Sequence, residues 1–177
     1  MSERTVASLF LSFSRMKLLE QYWPRMKKAV ETLTDEQVWW RPNDASNSIG
    51  NLMLHLNGNV TQWIVASFNR EDDKRNRPAE FAAREGMSAA ELIATLGATV
   101  ERAGETLSRL SEADLVATYE IQGFTVSGLQ AVYQVIEHFA LHYGQVLYIV
   151  KQVQGRDLGF TNQLDKHGRA ITPDKKP

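Results

Sequence analysis

The chain has 177 residues, 43% of them apolar and 23% charged, with a formal net charge of -1; this suits one soluble domain with a sizeable core and gives no general pull toward nucleic acid or an anionic membrane. The absence of cysteine excludes disulfides, thiolate nucleophiles and Cys-based zinc or iron-sulfur sites, so any metal site must rest on His, Asp and Glu. No apolar run approaches the ~18 residues that cross a bilayer, and the start MSERTVASLF lacks a sustained apolar segment, so a cytoplasmic protein is expected.

From Thr5 to Leu33, apolar residues including Val6, Leu9, Phe13, Met16, Trp23, Met26 and Val30 recur at helical spacing and predict a first helix. Pro24 lies inside it and predicts a kink or a fresh start near Tyr22, because proline removes one backbone donor. Thr34 to Gln37 has the spacing of a capping box for a short turn of helix, and Trp39 and Trp40 are expected to cover the end of a bundle. After a polar loop, Ile49, Leu52, Met53, Leu56, Val60, Trp63 and Ile64 form the stripe of a second helix that runs to about Asn69. His55 lies on the flank of this stripe, where it can look sideways into a cleft between helices or bond Asn59 or a neighbouring carbonyl.

The charged connector REDDKRNRPAEFAAREGM follows, too long for a tight antiparallel turn; such a run is usually solvated, and Arg75 and Arg77 are its candidates for facing a substrate anion. Ser88 to Glu91 is a second capping box and opens a third helix through Leu110, in which Gly97 and Gly104 point to close packing against a neighbour. Thr118 to Val126 reads as a small hairpin or extended loop turning at Gln122-Gly123. Ser127 caps the longest periodic stretch, Gly128 to Gln154, which Gly155 stops. His167 lies beyond it in a polar context and is expected to be exposed.

In that last helix Val132, Val135, Phe139, Val146, Ile149, Val150 and Val153 make the core stripe, with His138 and His142 one turn apart at its edge. Imidazoles at i and i+4 can grip one metal ion. The spacing matches the zinc-protease pattern H-E-x-x-H, but Phe139 replaces the glutamate that would act as general base, so peptidase chemistry is lost while the metal geometry is kept. Histidines that simply hydrogen-bond at a core margin are the commoner use of such a pair, and a third ligand decides between the two.

The segments NSIGNLMLHLNGNVTQWI, RNRPAEF and EHFALHYGQVLYIVKQVQGRDLGF together make the chain resemble the DinB-like (YfiT-like) superfamily of metal-binding proteins, in particular an uncharacterised bacterial branch with similar loops. The resemblance implies an all-α fold: a four-helix bundle of up-down-down-up topology, often a homodimer, here over residues 1–160 with a polar tail over 161–177. It further implies a three-histidine site for a divalent metal, nickel or zinc, which falls on His55, His138 and His142. Members of the superfamily include thiol-dependent transferases and isomerases that use bacillithiol, mycothiol or glutathione. Three imidazoles without a fourth protein ligand leave an open position, as catalytic metals require.

Two functions follow as expectations. One is a metal-dependent S-transferase or hydrolase acting on a small molecule, with Asn59, Gln145 or Glu137 orienting the rings or bonding substrate, although Glu137 lies off the stripe. The other is a non-catalytic dimeric binding or stress-response interaction module that keeps the bundle, motivated by Leu141 and Tyr148 on the far side of the last helix. Imidazole ligands of ordinary pKa, near ~6.5, are expected to release metal as the pH falls through that region.

Overall fold

The computed structural model describes residues 5–160 and 165–169, so most of the expected polar tail, 161–164 and 170–177, lies outside the described residues. Helix α1 covers residues 6–30 as an α-helical segment Val6–Met16, a wider π-helical turn Lys17–Tyr22 and a second α-helical segment Trp23–Val30. Pro24 therefore sits in the first turn of a fresh α-helical segment, where its missing N–H is tolerated, and the expected break takes the form of a widened turn. A short helix α2 (Asp35–Trp39) follows behind the Thr34 capping box. Helix α3 covers residues 49–69, again with a π-helical turn at Thr61–Ala66, and is capped by Ser48.

Two short helices were not expected from the sequence. One, α4 (Arg77–Ala82), interrupts the charged connector; the other, α6 (Glu112–Val116), stands behind a Ser111–Asp114 capping box. Between them lies α5 (Ala89–Arg109), opened by Ser88. The hairpin pairs β1 (Thr118–Ile121) with β2 (Phe124–Ser127), and both turn residues, Gln122 and Gly123, have positive φ, the geometry of a two-residue primed turn. Helix α7 (Gly128–Gln154) starts at the Ser127 cap and ends where Gly155 enters the left-handed region.

The four long helices form the bundle, with α1 and α3 each packed against both α5 and α7. Their directions follow from individual contacts. Arg15 reaches the Gly104 carbonyl while Trp23 meets Gly97, so α1 and α5 run antiparallel. Thr99 bonds Asn57 while Arg109 bonds Asn69, so α3 and α5 run parallel. Tyr22 stacks near Phe139 while Thr32 accepts from Gln154, so α1 and α7 run parallel. The order is up-down-down-up, as the resemblance implied. The core is mainly apolar, with Leu18, Met26, Leu56, Ile64, Leu96, Leu107, Val135 and Phe139 fully buried, and its buried polar residues gather mostly along α3 and its Ser48 cap.

Gly97 and Gly104 serve the expected purpose: a Cβ at 97 would approach the Trp23 ring to 3.0 Å, and one at 104 would strike Leu19. Trp39 covers one end of the bundle, donating to the Met87 carbonyl at 2.8 Å and lying flat against Gly50, whereas Trp40 is 40% exposed. Among the described residues no helix is long and apolar enough to cross a membrane.

Candidate metal centre

The two parallel helices α3 and α5 cannot be joined by a tight turn, and the connection between them returns along the bundle carrying α4. Asn51, one turn before His55 on α3, pins this connection by donating to the carbonyls of Glu80 and Ala83 at 2.9 and 2.8 Å. Asn76 caps α4 and Pro78 occupies its first turn, which directs the Glu80 side chain inward to a buried position beside His55. Gly58 leaves the room: a Cβ there would collide with the Glu80 carboxylate and come within 2.7 Å of Arg75 Nε.

His55 is 4% exposed, and Glu80 Oε2 lies 2.9 Å from its Nδ1. Arg75 completes the group, donating from Nε to Oε1 at 2.7 Å, from Nη2 to Oε2 at 2.9 Å and from Nη1 to Gln62 at 3.0 Å. Burial pushes the Glu80 carboxyl up, but the hydrogen bonds and charges of Arg75 and His55 outweigh it and hold the group below the usual carboxylate range. An ionised Glu80 accepts only, so His55 carries its proton on Nδ1 and its Nε2 is bare. Gln62 also bonds Asp73 and receives Gln122 from the hairpin turn, so the network runs from the hairpin to the His55 ring.

The bare Nε2 of His55 faces Nε2 of His138 at 2.8 Å, and the ring centroids of His138 and His142 are 4.4 Å apart. Antiparallel packing of α3 on α7 brings the three rings together from distant parts of the sequence. Each offers one nitrogen within 4.8 Å of the others, so modest side-chain rotation brings all three to the ~2.0–2.1 Å that imidazole-metal bonds need. The donor chemistry fits as well. His142 donates from Nδ1 to Gln145 Oε1 at 2.7 Å, which leaves its Nε2 bare. Burial, followed by the neighbouring His142 and His55 and the Arg75 and Arg77 charges, pushes the His138 pKa down to about 4; burial also lowers that of His142. The triad could hold a metal ion.

The remaining candidates are dispersed. Asn59 is buried one turn beyond His55, and its Oδ1 has no hydrogen-bond partner among the described residues; Gln134, one turn before His138 at the same level, has an equally unpartnered Oε1. Gln145 is on the exposed side but bonded to His142. Glu137 is exposed beside the triad, without a bond to any of its rings. Arg75 has a 4% exposed side chain committed to Glu80, so the expectation of a solvated connector fails where the chain supplies a buried partner. Arg77 lies over the Phe81 ring at 5.0 Å, and Phe81 in turn packs on His55 at 4.7 Å. His167 is exposed. Sequence reasoning missed Glu80 and Gly58, although Asn76, Pro78 and the acidic residue after them already spell a helix start.

A family model described as a protein of unknown function, DUF1572, matches residues 5–162. The chain belongs to this family. No curated protein matches it. Among solved structures, this DUF1572 chain is similar to a conserved protein from Enterococcus faecalis, with a TM-score of 0.71 at 19% identity over 87% of this chain and 100% of the other. It is also similar to a DinB-like protein from Bacillus cereus, with a TM-score of 0.57 at 18% identity over 74% of this chain and 85% of that one. At such identities the likeness shows the fold, which is the DinB-like bundle.

The lowered histidine pKa values alter the acid behaviour expected above. Between about pH 6.5 and pH 4 the unfolded chain binds a proton at position 138 that the folded chain refuses, so stability of the metal-free protein rises with pH in this window and is lost as pH falls through it. The same refusal keeps His138 and His142 unprotonated and able to take a metal in the folded state. Denaturant titrations of metal-free protein at pH 7, 6 and 5 should show a falling midpoint, whereas zinc affinity by calorimetry should persist below pH 6 and collapse toward pH 4.

Proposed function

We propose that this DUF1572 protein is a metal-dependent enzyme in which His55, His138 and His142 hold one divalent ion, zinc or nickel, and that its substrate is a small molecule with a low-molecular-weight thiol as co-substrate. The observation that carries the proposal is the buried Glu80 carboxylate on the far nitrogen of His55, 2.9 Å away, because a carboxylate behind a histidine fixes its tautomer and raises its basicity as a ligand. Gln145 does the same for His142. A divalent ion so bound supplies a positive charge that lowers the pKa of water or a thiol and polarises an electrophile. The thiol must come from outside, since the chain has no cysteine. Phe81 packs on His55, which is itself buried, so reactants approach from the half-exposed side of His138 and His142.

The non-catalytic reading, a homodimeric module joined through α7, draws on Leu141 at 59% and Tyr148 at 64% exposure. Metal analysis and a thiol-conjugation screen separate the two. Protein stripped and refilled should bind one zinc or nickel per chain and consume thiol only when loaded. A stable dimer that takes up no metal would sink the enzymatic proposal.

A further inference from the structure

Gly144 stands apart from the other helical glycines. At 50, 58, 97, 104 and 128 an added Cβ would meet a neighbour at close range, so packing accounts for each; at 144 it would meet nothing within 4 Å. A glycine inside a helix costs about 1 kcal/mol against alanine, and no packing requirement offsets it here. The open space is a cavity of about 560 Å³ between α7 and the loop after α2. Its walls are apolar, with Leu52, Leu141, Tyr148 and Ile149, while Ser46, Asn47 and Gln145 contribute polar groups. Gln145 is the same residue that bonds His142 Nδ1, so one side chain both lines the cavity and touches the triad from behind His142. Leu141, Gly144, Gln145 and Tyr148 follow one another at spacings of three and four, which puts them on one face of α7 with the glycine as its gap.

We infer that this cavity is the substrate's own pocket: it takes the apolar body of a small molecule whose reactive end lies at the histidine triad, and Gly144 is the residue that keeps it open. Its volume falls within the ~300–1,000 Å³ range of small-molecule sites, and its apolar walls with a few polar groups match their make-up. The exposure of Leu141 and Tyr148 is thereby explained without a second protein. The substrate class is an amphipathic small molecule with an aromatic or branched aliphatic group next to a polar, metal-seeking end. The inference rests on the metal site proposed above.

The test uses zinc-loaded protein and two chelating probes, acetohydroxamate and benzohydroxamate, which share a metal-binding end and differ by an apolar ring. Wild type should bind the aromatic probe at least about tenfold more tightly, the gain expected from burying much of a ring. Gly144→Leu fills the cavity from a position where nothing clashes, so it should erase that preference while zinc affinity and acetohydroxamate binding stay as in wild type. An unchanged preference in the variant, or no preference in wild type, would overturn the inference. So would a wild-type dimer by light scattering that Gly144→Leu dissociates, which would give this face to a second copy. Metal-free protein with 15N-labelled amides separates the two proposals. Benzamide, which lacks the chelating group, should shift the Gly144 and Leu141 resonances of wild type even if zinc fails to bind. In that case the metal centre falls and the pocket stands, whereas absent shifts remove the pocket alone.

Discussion

His55→Ala should weaken zinc or nickel binding by several kcal/mol, at least about a hundredfold, because it removes the one ring that α3 contributes to the proposed triad. His138 and His142 would remain as a two-point grip from α7 alone. Each of their alanine variants should cause a loss of similar size, since either one breaks that grip. His167→Ala is the internal control: the residue is exposed, and its backbone N–H, not its ring, donates to Asp165 Oδ1. Calorimetric titration of metal into the four stripped variants at pH 7.5 checks this. Unchanged affinity in His55→Ala, or a loss in His167→Ala, would remove the three-histidine assignment.

Glu80→Ala should be the most damaging of the single changes to the fold. It deletes the carboxylate that neutralises Arg75, whose side chain is 4% exposed, and leaves a guanidinium buried with Gln62 as its remaining side-chain oxygen acceptor. Breaking a buried pair from one side costs about 3–5 kcal/mol, which for a chain of this length lowers the melting temperature by roughly 8–13 °C. Glu80→Gln separates charge from shape. Its amide can offer oxygen to Arg75 but then turns N–H toward His55 Nδ1, which must accept, and the imidazole proton moves to Nε2, the nitrogen that faces the triad. Metal affinity should drop about 10–100-fold with a smaller loss of stability than in the alanine variant. Paired thermal melts and metal titrations of the two variants test this; equal metal affinity in wild type and Glu80→Gln would show that the carboxylate does not set the His55 tautomer.

The bundle was legible because its helices announce themselves twice, through apolar periodicity and through capping boxes such as those at Thr34 and Ser88, both of which form. The hairpin was legible from Gln122-Gly123, where the positive φ values occur. The π-helical turn at Thr61–Ala66 left no mark, since a stripe of threes and fours absorbs one wider step without losing its face, and the one at Lys17–Tyr22 showed only as the break expected from Pro24. The three histidines could be named because two share a helix face and the third flanks another. Glu80 could not, and Arg75 was named only for a substrate anion, because a run of charges is solvated by default and only the returning chain shows which pair is buried. Their inward turn depends on Asn51 and on the missing Cβ of Gly58, two contacts across the sequence that no local pattern encodes.

The up-down-down-up order also governs how this molecule can reach its native state. Helices that follow one another along the chain are either diagonal partners, as α1 with α3 and α5 with α7, or parallel neighbours, as α3 with α5. None forms a helical hairpin, the local unit from which a simple meandering bundle can grow. Every stable pairing must first close a long loop, so the entropy of closure is spent before contacts repay it. The chain should therefore fold more slowly than a meandering four-helix bundle of equal length. Fragments cut between consecutive long helices should remain unstructured alone, and the His55–His138 contact, spanning 83 residues, should be among the last to form.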